Sequence, residues 1–421
     1  MTTAALTRKW PSFTPFQLWV AALATLMVAG LAAGWVVFAR GLVVTNLTDL
    51  VPWGLWITID LSAIALSAGA FLLCAAVYLL GLKRFQPLVR TATFIGLIGY
   101  SMAVLCLMLD IGRPERFWHA LVFWNPHSVL WEVTMCVTLY FGVLIVEAAP
   151  LFGQAAWLQR RWPGLARRLA GLYRLAPVLA VFGLGLSMLH QSSLGATYGI
   201  LKARPIWYRP DLSVLFMLSA AAGGTALTGL VSGLVGRLSS RAHVDDDLLQ
   251  RLATFTGWVL VVYLYFRFWD ALSMTYTYAP GRSEGLALVT RGPFAFNFWV
   301  GEILLGAIGP SLVLLVPRLR RLPALRLAAL ALVVGGVVAY RWDTNLVGQM
   351  VLLSYLPSDI TARYTDYVPS LIEFVTGAGI VAFGLLAFSL GARYLNVVDH
   401  RPEVEHIPAE AAEALGTLVA T

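Results

Sequence analysis

The stretch LDIGRPERFWHALVFWNPHSVLWE, residues 109–132, sets Asp110, Arg113, Glu115, Arg116, His119, His127 and Glu132 between two long apolar runs. Carboxylates and imidazoles crowded together can accept, donate or relay protons, and a guanidinium among them can hold an anion or pin a loop. More such groups are embedded in apolar sequence: Asp60, Glu147, His190 with Gln191, Arg267 with Asp270, and Glu302, while Asp343 and Glu373 flank a later loop. Which of them can act together depends on what surrounds them and on which side of a membrane they face.

Of 421 residues, 59% are apolar and 12% charged, against about 25% charged in an ordinary soluble domain. Repeated apolar runs of spanning length make this an all-α polytopic membrane protein. Ten spans are predicted, at about 16–38, 51–80, 92–111, 128–150, 174–196, 211–236, 252–278, 294–316, 324–342 and 368–393. The expected organisation is an N-terminal tail over 1–15, a ten-helix transmembrane domain over 16–396 and a mildly acidic tail over 397–421. The basic residues gather in the short loops after the even-numbered spans, in runs such as QRRWPGLARRLAGLYR and RLRRLPALR. That is a topology signal and not a nucleic-acid face: by the positive-inside rule both termini are cytoplasmic, in a multi-pass cytoplasmic (inner) membrane protein. Residues 109–132 then face outward.

In that orientation the polar groups crowd toward the outer half. A carboxylate at the bilayer centre costs on the order of 2.5–3.5 kcal/mol on insertion scales, so groups in such number are expected to converge on a protein interior. About half of them read as interfacial caps and ion pairs, such as Arg267 with Asp270 one turn on. The rest describe a polar chamber, flanked by Trp53, Trp56, Trp118, Trp124 and Trp131. A quinone suits such a chamber, since it needs an apolar slot, partners for its oxygens and a base for its protons. Glu132, Cys136, Tyr140 and Glu147 fall within roughly 80° of one another on one helix face, a candidate proton path inward, with Asp60, Ser67, Cys74 and Tyr78 as a similar stripe on the second span. Cys74, Cys106 and Cys136 form no CxxC and read as small buried side chains, so no iron–sulfur cluster is expected in this chain. Only His190 lies inside a span, which argues against a bis-histidine haem, and no metal site is expected.

The runs VTNLTDLVPWGLWITIDLSAIALSAGAF, LDIGRPERFWHALVFWNPHSVLWE, LSMLHQSSLGATYGI and YRWDTNLVG together resemble the NrfD/PsrC family. The likeness is to its ten-helix branch, typified by the HybB membrane subunit of respiratory hydrogenases and by related subunits of alternative complex III. It covers about residues 40–395. The resemblance implies NrfD-like helix bundles and a quinone-reactive subunit, taking menaquinone or ubiquinone and usually without haem. It also implies a ferredoxin-like iron–sulfur subunit docked on the periplasmic side, relaying electrons to or from a catalytic subunit that carries nickel–iron or molybdopterin. By position in these motifs Asp60, Asp110, Arg113, Glu132, His190 and Gln191 are the candidates for quinone contact and proton exchange, followed by His119 and Trp131. Residues 109–132 would then be the outer lid of the site. Two other readings stay open, a ten-helix secondary transporter and a purely structural membrane anchor. So do the substrate of the catalytic subunit and proton translocation through Glu147.

Overall fold

The structure, a computed structural model, describes residues 14–239, 242, 244–276, 278–356, 359–395 and 397–398. Among the described residues ten helices are long and apolar enough to cross a membrane: α1 (Pro15–Arg40), α2 (Leu55–Leu79), α3 (Lys83–Asp110), α4 (Val129–Gly153), α5 (Pro163–Gly199), α6 (Asp211–Leu238), α7 (Asp246–Tyr276), α8 (Asn297–Leu315), α9 (Pro323–Met350) and α10 (Leu371–Tyr394). Helices satisfy their own backbone in hydrocarbon, which is why apolar runs of this length fold this way. Their starts are written locally. Thr14 and Gln17 form a capping box on α1, with Pro15 in the first turn, and Ser370 and Glu373 form another on α10. The end of the molecule that carries residues 112–127 is called the outer end below.

All ten predicted spans are present, and the largest departure is α9. The expected end near residue 342 follows from Arg341, Asp343, Thr344 and Asn345, which look like a polar exit from the membrane. Instead the helix continues to Met350, and those side chains are buried. Their polar groups point into neighbouring helices, so an unbroken helix carries them at less cost than a loop would. Asp343 is accordingly inside a helix and does not flank the last outer loop. That loop opens with a hairpin, β1 (Val351–Leu356) paired antiparallel with β2 (Asp359–Tyr364), which apolar periodicity alone does not indicate. The expected tails, 1–15 and 397–421, lie almost wholly outside the described residues.

Helices α2–α5 pack as one four-helix bundle and α6–α9 as a second. The two meet where α6 lies against α2 and α5, and α9 against α2, while α1 and α10 pair beside α2 and α3. A single apolar core runs through both bundles, from Leu61, Tyr100 and Tyr140 to Phe216 and Tyr340. Between helices the lipid offers no hydrophobic drive, so association depends on close backbone approach at small residues. The seam between bundles is such a place: a Cβ on Gly224 of α6 would lie 2.1 Å from the backbone nitrogen of Gly69 of α2.

Gly224→Ala is therefore expected to force the bundles apart, with a cost of about 1–3 kcal/mol typical of overpacking, read as a lower melting temperature of the detergent-solubilised protein. Gly335→Ala, with nothing within 4 Å of the added carbon, should leave it unchanged.

Candidate functional site

A cavity of about 540 Å³ lies in the outer half of the first bundle, between α2, α3, α4 and α5. Its size is in the range of small-molecule sites, about 300–1,000 Å³. On α2 the residues Ile57, Asp60, Leu61 and Ile64, spaced along one helical face, form one wall; Val133 and Val137 of α4 and Leu194 of α5 face it. The apolar walls carry a few polar groups: Asp60, Asp110 at the end of α3, His190 and Tyr198. On one side the lining is formed by Ile111, Phe117, Leu121 and Leu130, each more than 40% exposed. The cavity is thus open sideways between α3 and α4, under residues 112–127, toward what would be lipid.

Three polar atoms here are buried without a hydrogen-bond partner among the described residues: Asp60 Oδ1, Asp110 Oδ1 and His190 Nε2. The opposite ring nitrogen of His190, Nδ1, lies 2.7 Å from the Tyr100 hydroxyl. Buried polar atoms are nearly always paired, so a cluster of unpaired ones facing a cavity marks the position of a ligand or ordered water.

The frame of the cavity is fixed from α9. The Asn345 amide donates to the carbonyls of Trp53 (2.9 Å) and Gly54 (3.2 Å) and to Thr58 Oγ1 (3.0 Å), and its oxygen accepts from Tyr198 (3.2 Å). Gln349, one turn on, donates to the Trp53 carbonyl and accepts from the Trp53 amide. Tyr198 stands edge-on to Trp53 and to Trp207, with centroids 5.4 and 4.6 Å apart. At the outer end Arg204 donates to Gln349 O (2.5 Å) and Leu50 O (2.6 Å). Tyr367 receives the amide of Leu55 (3.0 Å) and donates to Glu373, whose second oxygen accepts from Asn46 N (2.9 Å). Burial, and then the hydrogen bond to Glu373, hold the Tyr367 phenol above its ordinary pKa, so it remains a donor there.

Of the residues expected at the site, Asp60, Asp110 and His190 line one cavity. Gln191 is buried behind it, its amide donating to Ile64 O (3.2 Å) and its oxygen unpartnered. Glu132 turns toward α5 and accepts from Ser193 (2.8 Å). Trp131 ties down the segment 112–127, donating from Nε1 to Ala120 O (2.9 Å). His119 packs against Trp118 and Phe123 in the same segment, and Arg113 is exposed; neither is among the lining residues. Cys136 and Tyr140 are buried on α4, and the Tyr140 ring meets that of Tyr100 at 4.8 Å. Glu147 lies further inward, at a second and smaller cavity of about 60 Å³ shared with Cys74, Tyr78, Arg90 and Thr93. Tyr140 and Glu147 come together at Gly183, where an added Cβ would be 3.5 Å from Tyr140 and 3.8 Å from Glu147 Oε1. Sequence reasoning misses Tyr100, Tyr198 and Asn345. The two tyrosines sit in apolar runs where a hydroxyl reads as ordinary core, and Asn345 sits beyond the expected end of its helix.

In the second bundle a buried charge network has far less space beside it. Arg267 bonds Glu302 (2.7 Å) and Asp270 (2.6 Å), the latter pair as expected from spacing; Arg209 also bonds Asp270 (2.9 Å), and Tyr263 donates to Glu302 (2.7 Å). The cavities beside this network are about 20 and 10 Å³, room for a water each.

Residues 43–352 match the family described as polysulphide reductase, NrfD. The chain is 33% identical to the integral membrane subunit of menaquinone reductase from Nitratidesulfovibrio vulgaris over 402 residues, 93% of this chain and 94% of that protein. It is 25% identical to one of the subunits of selenate reductase from Mesobacillus selenatarsenatis, covering 92% of this chain and 96% of that one. It is 28% identical to the probable nickel–iron hydrogenase 2 b-type cytochrome subunit of Escherichia coli, covering 88% and 90%.

Asn345→Ala removes its bonds to the Trp53 and Gly54 carbonyls and to Thr58, and leaves the buried Tyr198 hydroxyl without its acceptor, at about 1–3 kcal/mol for a buried group left unsatisfied. A marked fall in melting temperature is expected, against little change for Asn46→Ala, whose side chain is exposed.

Proposed function

This chain belongs to the polysulphide reductase NrfD family, as a quinone-interacting membrane subunit of a respiratory oxidoreductase, and on that premise we propose that the outer cavity of the first bundle is where the quinone ring binds and exchanges its protons. The observation that carries the proposal is the convergence of unpartnered Asp60, Asp110 and His190 atoms on an apolar cavity of about 540 Å³. A quinone carries oxygens at opposite ends of an apolar ring and a long isoprenoid tail. The apolar walls suit the ring, the unpartnered groups suit the oxygens, and the opening between α3 and α4 suits the tail.

Oxidation of a quinol sends two electrons to an external acceptor and releases two protons, which need bases within hydrogen-bond reach. In the tautomer in which Tyr100 donates to Nδ1, His190 carries its own proton on Nε2 and offers it to a quinone oxygen; Asp60 and Asp110 are the acceptors for protons leaving a quinol. Glu132 holds α5 through Ser193, and Gln191 ties α5 to α2, so both act on the site by position. In the same reading Arg113, His119 and Trp131 belong to the lid and to a surface that receives a periplasmic-side iron–sulfur subunit. That partner would in turn meet a nickel–iron or molybdopterin catalytic subunit. The candidate proton path runs from Tyr100 past Tyr140 to Glu147 and the inner cavity, with Cys136 one turn from Tyr140 on the same face. Among the described residues His190 is the sole histidine placed in a span, so the chain is read without a bis-histidine haem.

Asp60→Asn and His190→Ala, assayed in the complex purified with its partners, are expected to lower quinone-linked turnover by at least about tenfold, the scale on which removal of a general acid or base acts. Assembly should be unchanged. Normal turnover of both assembled variants would return the chain to the role of a structural anchor. Glu147→Gln is expected to lower the number of protons translocated per electron in proteoliposomes, and an unchanged ratio would remove the inward path.

A further inference from the structure

Two features of the chain take no part in the quinone site, a basic hairpin and an acidic segment. From Ala148 to Pro210 the sequence has no Asp or Glu. Within that stretch the hairpin that joins α4 to α5 at the inner end carries Arg160, Arg161, Arg167, Arg168 and Arg174, all exposed. None of them makes an ion pair among the described residues, whereas Arg251 and Arg326 at the same end meet Asp247 and Asp246. The hairpin is held firmly. Its short helix, Ala156–Arg161, and the first turns of α5, Pro163–Gly171, fold back on the end of α4, where a Cβ on Gly153 would be 2.6 Å from Ala170 N and 2.8 Å from Ala166 O. The arginines therefore stand on a fixed surface.

The chain leaves α10 at the same place. Leu395, Val397 and Val398 are buried in one apolar cluster with Leu158 and Ala166 of the hairpin and Phe94 of α3. The buried Thr91 hydroxyl donates to Val397 O (2.8 Å) and fixes the exit. Beyond Val398 the sequence, outside the described residues, holds Asp399, Glu403, Glu405, Glu410 and Glu413 against Arg401. Glu403 is five residues from Val398, a reach of at most about 17 Å, and the later glutamates reach further. The positive-inside rule explains basic residues at this end. It does not place an acidic segment beside the cluster that has no acids of its own.

We propose that residues 399–421 dock on the arginine hairpin, their glutamates meeting Arg160, Arg161, Arg167 and Arg168, and so strap the end of α10 to the inner ends of α4 and α5. A tethered segment that starts beside its site is present there at an effective concentration on the order of millimolar, which offsets the small contribution of each exposed ion pair. The strap adjoins the inner cavity, which Gln154, Leu172 and Tyr173 help to line. It depends on none of the quinone assignments.

The test is zero-length carbodiimide crosslinking in the complex purified with its partners and placed in nanodiscs of zwitterionic lipid. Arg167→Lys with Arg168→Lys keeps the charge and supplies amines on the hairpin. Arg318→Lys with Arg321→Lys, exposed on the inner loop between α8 and α9, is the control. Mass spectrometry is expected to find the hairpin amines joined to Glu403, Glu405, Glu410 or Glu413 at least about tenfold more often than the control amines, with the product lost in about 1 M salt, where charges are screened within about 3 Å. Equal yields from the two pairs, or no product from either, would overturn the proposal. Exposed Trp157 and Trp162 flank the arginines and suit a lipid headgroup layer as well, so the reaction is repeated with about one-third anionic lipid. Product that survives supports the strap; product lost there assigns the arginines to lipid phosphates and overturns it. If the lysine variants do not assemble, the unaltered hairpin decides. Glu403→Gln, Glu405→Gln, Glu410→Gln and Glu413→Gln together should raise the reactivity of its arginines toward phenylglyoxal by at least about threefold by releasing their partners, and unchanged reactivity overturns the docking.

Discussion

Inside a bilayer a buried polar atom has no water to turn to, so each one must be matched within the protein or cost free energy comparable to a lost hydrogen bond. The rest of this structure is arranged around that constraint. Asn345 and Gln349 use almost their whole hydrogen-bonding capacity to hold the start of α2. Glu373 is enclosed by Tyr367, Asn46 and the first turn of its own helix. Where matching is this thorough, unmatched atoms carry information. Those facing the outer cavity belong to Asp60, Asp110 and His190, the residue types that exchange protons with a quinone.

The two bundles solve the constraint differently. In the second, Arg209, Arg267, Asp270, Glu302 and Tyr263 neutralise one another and leave space for little more than single waters. In the first, the polar groups remain apart around an open volume. The small-residue seam at Gly69 and Gly224 brings the bundles close enough for α9 to frame a cavity it does not line.

The spans are legible in the sequence because hydrocarbon demands long apolar runs, and a helix of such a run declares itself by length alone. The end of α9 is not, because WDTNLVGQM reads as an exit from the membrane until its partners on α2 are known. Asp60, Asp110 and His190 stand out as polar residues in or at the rim of apolar sequence, and the same signal names Glu132 and Gln191, which turn to neighbouring helices. Arg113 and His119 carry the motif's charge but stand in the segment 112–127, away from the cavity lining, a distinction that depends on where the chain turns after Gly112, at a positive φ of 69°. Tyr100, Tyr198 and Arg341 can be ranked only in three dimensions. A hydroxyl in an apolar run has no sequence signature, and a buried arginine reads there as part of a polar exit from the membrane.

The position of the quinone ring decides whether Asp60, Asp110 and His190 can act together. The direct measurement is photo-crosslinking with an azido-quinone in native membranes, followed by mass spectrometry of the labelled peptides. Label on α2 near Asp60, on α4 between Val133 and Thr138, and on α5 near His190, displaced by unlabelled quinone, is the predicted result. Displaceable label confined to the second bundle or to the inner cavity around Glu147 would contradict it.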